Sequence, residues 1–385
     1  LDPEFVQNPY PFYERVRASG KVFHWQDFDV ACTVNYACVW SLLRDRRMGR
    51  EPPPGHEPEK PPHQAAFWAI EDHSLLELEP PRHTRLRGLI LRAFTSRRIA
   101  ALAPEITTLT HQLIDQLNGA EIDLLASFAQ HLPIIIIARL LGVPEERASD
   151  LLGWSHAMVA MYQADRNHQT ELAANRAAHD FAAFMREHIQ YRRNRPGDDL
   201  ITHLISAHQD GEHLSTDELI TTCILLLNAG HEATVHAFGN GIRALLLANS
   251  PHGVLASDKI DATVEEIIRF DPPLHMFQRW AYEPVKIGAT TIEAGEKIAL
   301  LLAGANRDPA RWRNPARFDP SRPIRSNTSF GAGTHFCIGA PLARLELRTA
   351  LPILFARLPK LRLAQTPQYA PTYHFHGLRH LMVSR

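Results

Sequence analysis

The stretch FGAGTHFCIGAPLAR, from Phe330 to Arg344, places a single cysteine between glycines and directly before a predicted helix. The glycines predict a loop with unusual backbone angles around Cys337, and Pro341 is typical of the first turn of a helix. Amide donors and the helix dipole at such a position stabilise a thiolate. A stabilised thiolate at this position would act as a nucleophile, a redox sensor or a metal ligand. The alternative is that Cys337 is a small buried residue without a chemical role.

A second unusual stretch, AGHEATVH from Ala229 to His236, lies in the longest predicted helix. Ser215 and Glu218 form a predicted capping box at its start, and no proline interrupts the chain before Pro251. About 35 residues at 1.5 Å each predict a helix of roughly 50 Å, which is long enough to cross a whole domain. The sequence therefore predicts a central helix.

The start of this stretch resembles the zinc-protease pattern His-Glu-x-x-His, but Val235 occupies the place of the second histidine. His236 comes one residue late and lies about 140° around the helix from His231. The spacing therefore excludes the zinc-protease interpretation. It leaves Glu232 among small and apolar neighbours, where we expect burial to raise its pKa. An ion pair with His236 on the next turn is an alternative for the same side chain.

Composition restricts the class of protein. Of 385 residues, 45% are hydrophobic and 22% are charged, which predicts a folded globular chain. The net charge of -1 gives no reason to expect nucleic acid as a partner. The longest apolar run, which starts at Leu132, is too short to span a membrane, and the four cysteines show no Cys-x-x-Cys spacing. These features predict a soluble, cytoplasmic protein. Helical apolar periods over much of the chain, one of them from Asp123 to Leu141, and few strand-like pieces predict a fold that is mainly α with small β-sheets.

The cysteine loop, Phe330 to Gly339, fits the pattern Phe-x-x-Gly-x-His-x-Cys-x-Gly, which resembles the haem-binding loop of the cytochromes P450. The resemblance extends over essentially the whole chain and implies one P450 domain, residues 1–385. That domain is expected to combine helices with a small sheet built from N-terminal strands, residues 285–303 and C-terminal strands. The resemblance implies haem b as cofactor, with Cys337 as axial ligand of the iron and Phe330, His335 and Gly339 in contact with the haem.

Further motifs occur in the order typical of the family. Glu266 and Arg269 in EIIR, with Arg317 in NPARFDP, resemble a structural ion-pair triad. His83 and Arg87 lie four residues apart on one predicted helix, and the resemblance implies that they hold haem propionates.

The resemblance also assigns the remaining cofactor contacts. Arg279 and His335 would complete the charged cage, because buried propionates need charge-assisted partners. Ala229 and Ala233, which leave a patch of the central helix without bulk, would lie against the haem. Close packing of two helices is the alternative explanation for these small residues.

In the family the central helix carries an acid followed by a threonine, and both help to deliver protons during dioxygen activation. By position the acid is Glu232, but Ala233 follows it and Thr234 comes one residue later. Thr234 is rotated about 100° further around the helix, where its hydroxyl can bond to the carbonyl of Gly230. Glu232 and Thr234 are therefore the candidate catalytic residues. Either Thr234 is an imperfect substitute, or an ordered water or a substrate hydroxyl supplies the missing group.

The resemblance implies a monooxygenase that inserts one oxygen atom from dioxygen into a mid-sized, largely hydrophobic substrate. The chain contains no dinucleotide-binding fingerprint, so electrons would come from an external ferredoxin or flavodoxin and its reductase. The alternatives are a peroxide-dependent or non-oxygenating haem-thiolate enzyme, and a non-catalytic haem-binding protein. We expect a monomer. A basic patch for the electron donor, or simply solvated side chains, is expected at Arg97, Arg98, Arg325, Arg344 and Arg348.

Most of the expected substrate-pocket residues are apolar, which suits a hydrophobic ligand. His275 and His376 would add a site for a polar or acidic group. By resemblance the pocket residues are Phe67, Trp68, Leu75, Leu76, Met158, Met161, Tyr162, Ala229, Ala233, Leu274, Met276, Phe277, Phe375 and His376.

Overall fold

The computed structural model describes residues 2–163, 166–209, 211–248, 251–373 and 375–385. Helices account for most of this part of the chain, as the sequence predicts, and form the main apolar core. The helices are α1 (Pro3–Gln7), α2 (Tyr10–Ser19), α3 (Tyr36–Leu42), α4 (Ala65–Glu71), α5 (Arg82–Ala93), α6 (Ser96–Ala100), α7 (Ala103–Asp115), α8 (His131–Leu141), α9 (Ala148–Val159), α10 (His168–Asn194), α11 (Leu200–Ser206), α12 (Thr216–Leu247), α13 (Pro251–Val254), α14 (Ile260–Phe270), α15 (Leu302–Ala305) and α16 (Ala340–Arg357).

The strands are short and lie at the edges of the helical body. They are β1 (Phe23–Trp25), β2 (Val30–Thr33), β3 (Met48–Gly49), β4 (Glu121–Asp123), β5 (His208–Gln209), β6 (Glu212–His213), β7 (Met276–Ala281), β8 (Val285–Ile287), β9 (Thr290–Ile292), β10 (Lys297–Leu301), β11 (Arg362–Leu363) and β12 (Met382–Ser384). In the described part of the chain they form one five-stranded sheet, one three-stranded sheet and two hairpins.

The single small sheet that we expected is divided. The five-stranded sheet has the order β1-β2-β10-β7-β3, whereas β12 pairs with β11 and β4 in a separate sheet, and β8 pairs with β9 alone. Register explains the division. Ile298 in β10 lies beside Ala31 in parallel pairing, but Val383 in β12 lies beside Ile122, which belongs to a three-residue strand without a sequence pattern of its own.

The central helix α12 has the predicted start. Ser215 accepts a hydrogen bond from the Glu218 amide, and the Glu218 side chain accepts one from the Ser215 amide, so both halves of the capping box are present. The helix has 32 residues, which at 1.5 Å per residue gives about 48 Å. Most of its middle and C-terminal half is buried, because it packs against α8, α9 and α10. It is therefore the central helix of the helical body.

The long helix expected over 123–141 is broken at its start. Residues Glu121–Asp123 form β4, Leu125–Ala129 form a π-helical turn, and α8 begins only at His131. The carboxylate of Asp123 explains the break, because it accepts hydrogen bonds from the amides of Leu125 and Leu381 and so binds the chain to the C-terminal strand. Local apolar periodicity does not report such a long-range contact.

The predicted ion-pair triad is present, but one member is different. Arg269 donates two hydrogen bonds to Glu266, at 2.7 and 2.8 Å, and both side chains are almost fully buried. The expected third member, Arg317, is exposed and contributes only its backbone carbonyl. Instead Arg322 approaches Glu266, with Nε 3.3 Å from Oε1. The prediction of Arg317 as the third member of the triad was therefore wrong. The backbone amide of Asp319 also donates a hydrogen bond to Glu266.

In the described residues, no helix combines the length and the apolar character needed to cross a membrane.

Candidate functional site

The cysteine loop has the backbone that its glycines predict. Gly331 and Gly333 have φ angles of 66° and 69°, in the left-handed region that favours glycine. A Cβ atom on Gly333 would lie 2.5 Å from the carbonyl oxygen of Leu43, so this position also lacks space for a side chain. The Cys337 amide donates to the carbonyl of Phe330 at 2.9 Å, and α16 begins three residues after the cysteine. The loop thus presents Cys337 at a helix N-terminus.

The charge state of Cys337 reflects two opposing effects. Burial raises the pKa of its thiol, while the amides of Gly339 and Ala340 and the cations Arg87 and Arg344 lower it, and the net direction is upward. The expected stabilisation by amides at the helix start is present, but burial exceeds it. The loop alone therefore does not make a free thiolate.

His83 is almost completely buried in α5, and neither of its ring nitrogens has a hydrogen-bond partner among the described residues. Its ring lies 4.6 Å from that of His335 in the cysteine loop. Burial, together with the nearby His335 and Arg87, lowers the pKa of His83 to about 4. A buried imidazole with two unsatisfied nitrogens is uncommon in proteins and indicates a missing polar partner.

Arg279 on β7 is 2% exposed and makes no ion pair within the described ranges. Burial lowers its pKa to about 9, since the guanidinium has lost its water. It donates to the carbonyl of Gln278 at 2.9 Å, which leaves most of its donors unused. His335 is nearby and lies 2.8 Å from a carboxylate oxygen of Glu79, a residue that the motif analysis missed although it stands four residues before His83.

These residues fit a cofactor with anionic substituents. The structure brings His83, Arg279 and His335 together at one end of the cysteine loop, and Arg87 joins them by donating to the carbonyl of Phe336 at 2.8 Å. A buried excess of donors and positive charge is stable only with an anionic partner, and haem carries two propionates.

Room for a flat ligand exists on the central helix. Ala229 is exposed and Ala233 is half-buried, although Leu227 and His231 beside them are buried. Cys337 is likewise half-buried within the core. An exposed alanine in the middle of a buried helix marks a cleft, so the small residues do not serve close helix packing at Ala229. The donor set and the cleft together fit haem.

Glu232 is buried, and its surroundings differ from those that we expected. Its Oε1 lies 3.1 Å from Nε2 of His156 on α9 and 3.7 Å from Nδ1 of His231, and no ion pair with His236 is found in the described part of the chain. Burial favours the protonated acid, but contact with His231 and the charges of His156 and His236 outweigh it, so the pKa of Glu232 is lowered. The expected rise was wrong, because sequence cannot place His156 beside this acid.

Thr234 is buried, and its hydroxyl donates to the carbonyl of Gly230 at 2.7 Å, as its position on the helix predicts. The side chain therefore satisfies itself on its own helix and presents no free proton to the cleft.

One group of expected pocket residues comes together between α4 and the end of α9. The ring of Phe67 lies 5.6 Å from that of Trp68 and 6.4 Å from that of Tyr162. The Tyr162 hydroxyl donates to Glu71 at 3.0 Å. Burial raises the pKa of Glu71 to about 8. This buried carboxyl, which sequence reasoning missed, adds a polar group to the aromatic wall formed by Phe67, Trp68 and Tyr162.

A second group lies along α12 and the C-terminal loop. Leu274 pairs with Phe375 in an isolated β-bridge, the Phe375 ring is 5.8 Å from that of His236, and Asn228 donates to the Met158 sulfur at 3.7 Å. Of the other expected residues, Leu76, Met276 and Phe277 are half-buried, and Leu75 and Met161 are buried.

The two histidines expected in the pocket lie elsewhere. His376 is 2% exposed, stacks on Tyr369 at 3.9 Å, and has Nε2 3.6 Å from a carboxylate oxygen of Asp271. His275 is fully buried beside it, with Nδ1 3.0 Å from the hydroxyl of Tyr13. Both belong to a buried polar network rather than to a ligand surface, so they provide no site for a polar substrate group.

The expected basic patch is partly neutralised. Arg98 pairs with Asp198 at 3.1 Å, Arg344 with Glu265, and Arg348 approaches Asp261 at 4.0 Å. Arg97 and Arg325 are exposed.

Comparison with known proteins agrees with the motifs. A family model described as Cytochrome P450 matches residues 260–366. Cytochrome P450 107B1 of Saccharopolyspora erythraea is 38% identical over 95% of this chain and 92% of that protein. The vitamin D(3) 25-hydroxylase of Pseudonocardia autotrophica is 36% identical over 94% and 89%. The crystal structure of P450BioI with an acyl carrier protein that carries hexadec-9Z-enoic acid has a TM-score of 0.93, 33% identity and 99% coverage of both chains.

These relatives span nearly the whole chain, and their family uses haem b with an axial cysteine thiolate. The helix-rich fold with small sheets, the cysteine loop and the buried cationic cage agree with this cofactor. The family activates dioxygen with electrons from a redox partner and inserts one oxygen atom into an organic substrate. By motif, fold and relatives, the chain belongs to the cytochrome P450 family of haem-thiolate monooxygenases.

Proposed function

We propose that Cys337 supplies the axial thiolate of this P450 monooxygenase. The observation that carries the proposal is the buried His83, whose ring lies beside that of His335 in the cysteine loop and has no hydrogen-bond partner for either nitrogen among the described residues. The buried guanidinium of Arg279 lies near the same histidine. The amides of Gly339 and Ala340 point to the sulfur and lower the pKa of its thiol, so they support the charged form once a metal ion balances the remaining cost of burial.

His83, Arg279 and His335 would hold the propionates, and Arg87 fixes the loop through its bond to the carbonyl of Phe336. The side chains of His83, Arg279 and His335 are buried or nearly so, which would make a charge-assisted bond to a carboxylate strong. Bound haem supplies the activation of dioxygen. The protein orients that group and excludes water from it.

The residues that contact the flat faces of the haem differ in size. On the side of the central helix, Ala229 and Ala233 leave room, and Ala229 is exposed to the cleft. On the side of the cysteine loop, Phe330 is half-buried beneath the guanidinium of Arg344, whose carbon lies 4.6 Å from the ring centre, and Gly339 carries no side chain. We assign these four residues to contact with the haem.

Protons reach the cleft through Glu232 in this scheme. The acid is buried, whereas 45% of the side chain of its partner His156 is exposed, so the pair joins the interior to solvent. Thr234 has a secondary role, because its hydroxyl already donates to Gly230. Glu232 is therefore the principal group that holds and releases a proton at the cleft.

The substrate is a mid-sized hydrophobic molecule in our proposal. Support comes from the aromatic wall of Phe67, Trp68 and Tyr162 and from the apolar residues Met158 and Leu274. Leu76, Met276 and Phe375 complete the proposed lining. The names of two relatives, a vitamin D(3) 25-hydroxylase and a P450 in complex with a fatty-acyl carrier protein, also support a long apolar ligand.

Electrons come from an external ferredoxin or flavodoxin with its reductase in this proposal, which the absence of a dinucleotide fingerprint in the sequence supports. Phe336, which precedes Cys337 in the chain, is exposed, and Arg97 and Arg325 are also exposed, which supports a docking surface for the electron donor. One catalytic domain over residues 1–385, a monomeric state and a cytoplasmic location stay predictions.

The test is the difference spectrum of the reduced protein with carbon monoxide, recorded for wild type and for Cys337→Ser. We expect the strongly red-shifted Soret band of thiolate ligation in the wild type and its loss in the variant. Cys38→Ser, at a half-buried cysteine outside the loop, is the matched control and should keep the band. A variant of Cys337 that retains the shifted band would contradict the assignment of the axial ligand.

A further inference from the structure

The central helix carries His231 and Glu232 without the second histidine that a zinc motif on one helix requires. Another helix supplies it. Nε2 of His156 on α9 lies 3.1 Å from Oε1 of Glu232, Nδ1 of His231 lies 3.7 Å from the same oxygen, and the three ligand atoms all lie within 4.8 Å of one another. We propose that His156, His231 and Glu232 form a second metal site, for a divalent transition-metal ion such as Zn²⁺.

The spacing suits such an ion. Metal–ligand bonds of about 2.0–2.1 Å in a tetrahedral site place neighbouring ligand atoms roughly 3.3 Å apart. The two separations from Glu232, 3.1 and 3.7 Å, lie on either side of that value. Small rotations of side chains are enough to bind the ion, and no backbone shift is required. Two imidazoles with one carboxylate favour zinc, cobalt, nickel or copper over calcium and magnesium, which prefer oxygen ligands.

His231 is already oriented as a ligand. Its Nε2 lies 3.3 Å from the carbonyl oxygen of Gln130, and because a carbonyl can only accept, Nε2 must carry the proton of that bond. This bond turns the other ring nitrogen, Nδ1, toward Glu232. Metal-bound histidines typically donate their other nitrogen to a carbonyl or carboxylate in this way.

The cluster also lacks polar partners of its own. Nδ1 of His231 and Oε1 of Glu232 are both buried without a hydrogen-bond donor in the described part of the chain, and the His231 side chain is only 1% exposed. Two buried polar atoms without hydrogen-bond partners are unfavourable, and a cation between them removes the deficit. Since 45% of the His156 side chain is exposed, an ion can enter from solvent and keep water as its fourth ligand.

Two other groups of possible ligands are less suitable. In the group of His63, His168 and Glu171, the guanidinium of Arg166 lies 3.6 Å from Glu171 and competes with a metal ion for the carboxylate. In the group around Asp271, the hydroxyls of Tyr10 and Tyr369 already donate to both carboxylate oxygens, and every member is buried. Of the three groups found in the described residues, the cluster on α9 and α12 combines polar atoms without hydrogen-bond partners with access from solvent.

A bound ion would have a functional consequence. A carboxylate oxygen that coordinates a metal ion cannot hold a proton, so the ion would remove Glu232 from proton delivery and fix α9 to α12. Inhibition of oxygen insertion follows if Glu232 has the role proposed above. Binding itself depends only on the geometry of the cluster and not on that role.

The experiment is calorimetric titration of the chelator-washed holoenzyme with Zn²⁺. We expect one high-affinity site, and we expect His156→Ala to weaken binding at least tenfold. His168→Ala, which removes an exposed histidine from the competing group, is the matched control and should bind as wild type does. Equal affinity of His156→Ala and wild type, or loss of the site in His168→Ala, would overturn the proposal.

A second measurement separates the metal site from the proton role. Product formed per electron consumed is measured with and without saturating Zn²⁺, in wild type and in His156→Ala. Zinc that lowers this ratio only in the wild type supports both ideas. Zinc that binds through His156 and leaves the ratio unchanged supports the metal site and contradicts Glu232 as the proton donor. Absence of the thiolate Soret band in wild-type protein would instead count against the haem assignment, and the zinc titration does not depend on that band.

Discussion

Replacement of Arg322 tests the observed ion-pair cluster against the one that sequence motifs predict. The Arg322 side chain is 12% exposed and donates from Nε to Glu266, from Nη1 to the carbonyl of Arg313, and from Nη2 to the carbonyls of Asn314 and Arg317. Arg322→Met keeps the length of the side chain and removes these bonds. Glu266 keeps both bonds from Arg269, so the loss is smaller than for a completely unpaired buried charge.

The magnitude follows from these contacts. Hydrogen bonds to charged groups contribute about 1.5–3 kcal/mol, and loss of one partner of a fully buried pair costs about 3–5 kcal/mol. We therefore expect Arg322→Met to lower the free energy of unfolding by about 2–3 kcal/mol. With an unfolding entropy of about 2.1 cal/mol/K per residue over 385 residues, the melting temperature should fall by roughly 3 °C.

Differential scanning calorimetry of the holoenzyme provides the measurement, with far-ultraviolet circular dichroism as a second probe. Arg317→Met is the matched control. Its side chain is exposed and its carbonyl remains in the variant, so the free energy of unfolding should change by less than about 0.5 kcal/mol. Arg269→Met, at the centre of the cluster, should cost more than Arg322→Met. A larger loss in Arg317→Met than in Arg322→Met would refute the reasoning.

Three further predictions concern other parts of the molecule. Burial raises the pKa of the Glu346 carboxyl from 4.5 to about 8, so between pH 4.5 and pH 8 the folded state keeps a proton that the unfolded state releases. The free energy of unfolding is therefore greatest below pH 4.5 and falls by up to about 5 kcal/mol as the pH rises through 8. Glu346→Gln should flatten the decline of the urea midpoint between pH 6 and pH 8, whereas exposed Glu187→Gln should not. Gly333→Ala should destabilise the protein more than Gly331→Ala, because both have positive φ but only position 333 faces backbone atoms at 2.5 and 3.0 Å; equal urea midpoints would contradict this. Thr234→Ala should uncouple electron use from product formation less than Glu232→Gln, since its hydroxyl is already bound, and equal coupling with full activity in both variants would exclude the proton relay.

Local signals in the sequence were sufficient for much of the fold. The capping box at Ser215 fixed the start of α12, because side-chain and backbone partners within four residues make the whole motif. The cysteine loop could be predicted for the same reason, since its glycines and the helix start after Cys337 are all local. The break at 123–141 could not, because the Asp123 carboxylate binds an amide 258 residues away.

The candidate site divides in the same way. The family resemblance identified His83 and Arg87, because the motif that contains them is local to one helix. The partner of Glu232 was missed, because His156 comes from another helix and no spacing rule joins residues 156 and 232. The choice of Arg317 over Arg322 failed for a related reason, since both follow α14 at similar distances and only the path of the backbone decides which guanidinium reaches Glu266.

The surroundings of Glu232 connect the proton role and the metal site. An acid between two imidazoles, with its pKa lowered, is mostly ionised near neutral pH, and an ionised carboxylate attracts cations. In the proposed scheme, a proton that arrives through His156 and a metal ion are two such cations, and they compete for the same oxygen. The hydroxyl of Thr234 already donates to Gly230, and Ala233 has no hydroxyl, so the proposed proton path depends on this one carboxylate. If both proposals hold, oxygen insertion depends on which cation occupies the oxygen of Glu232.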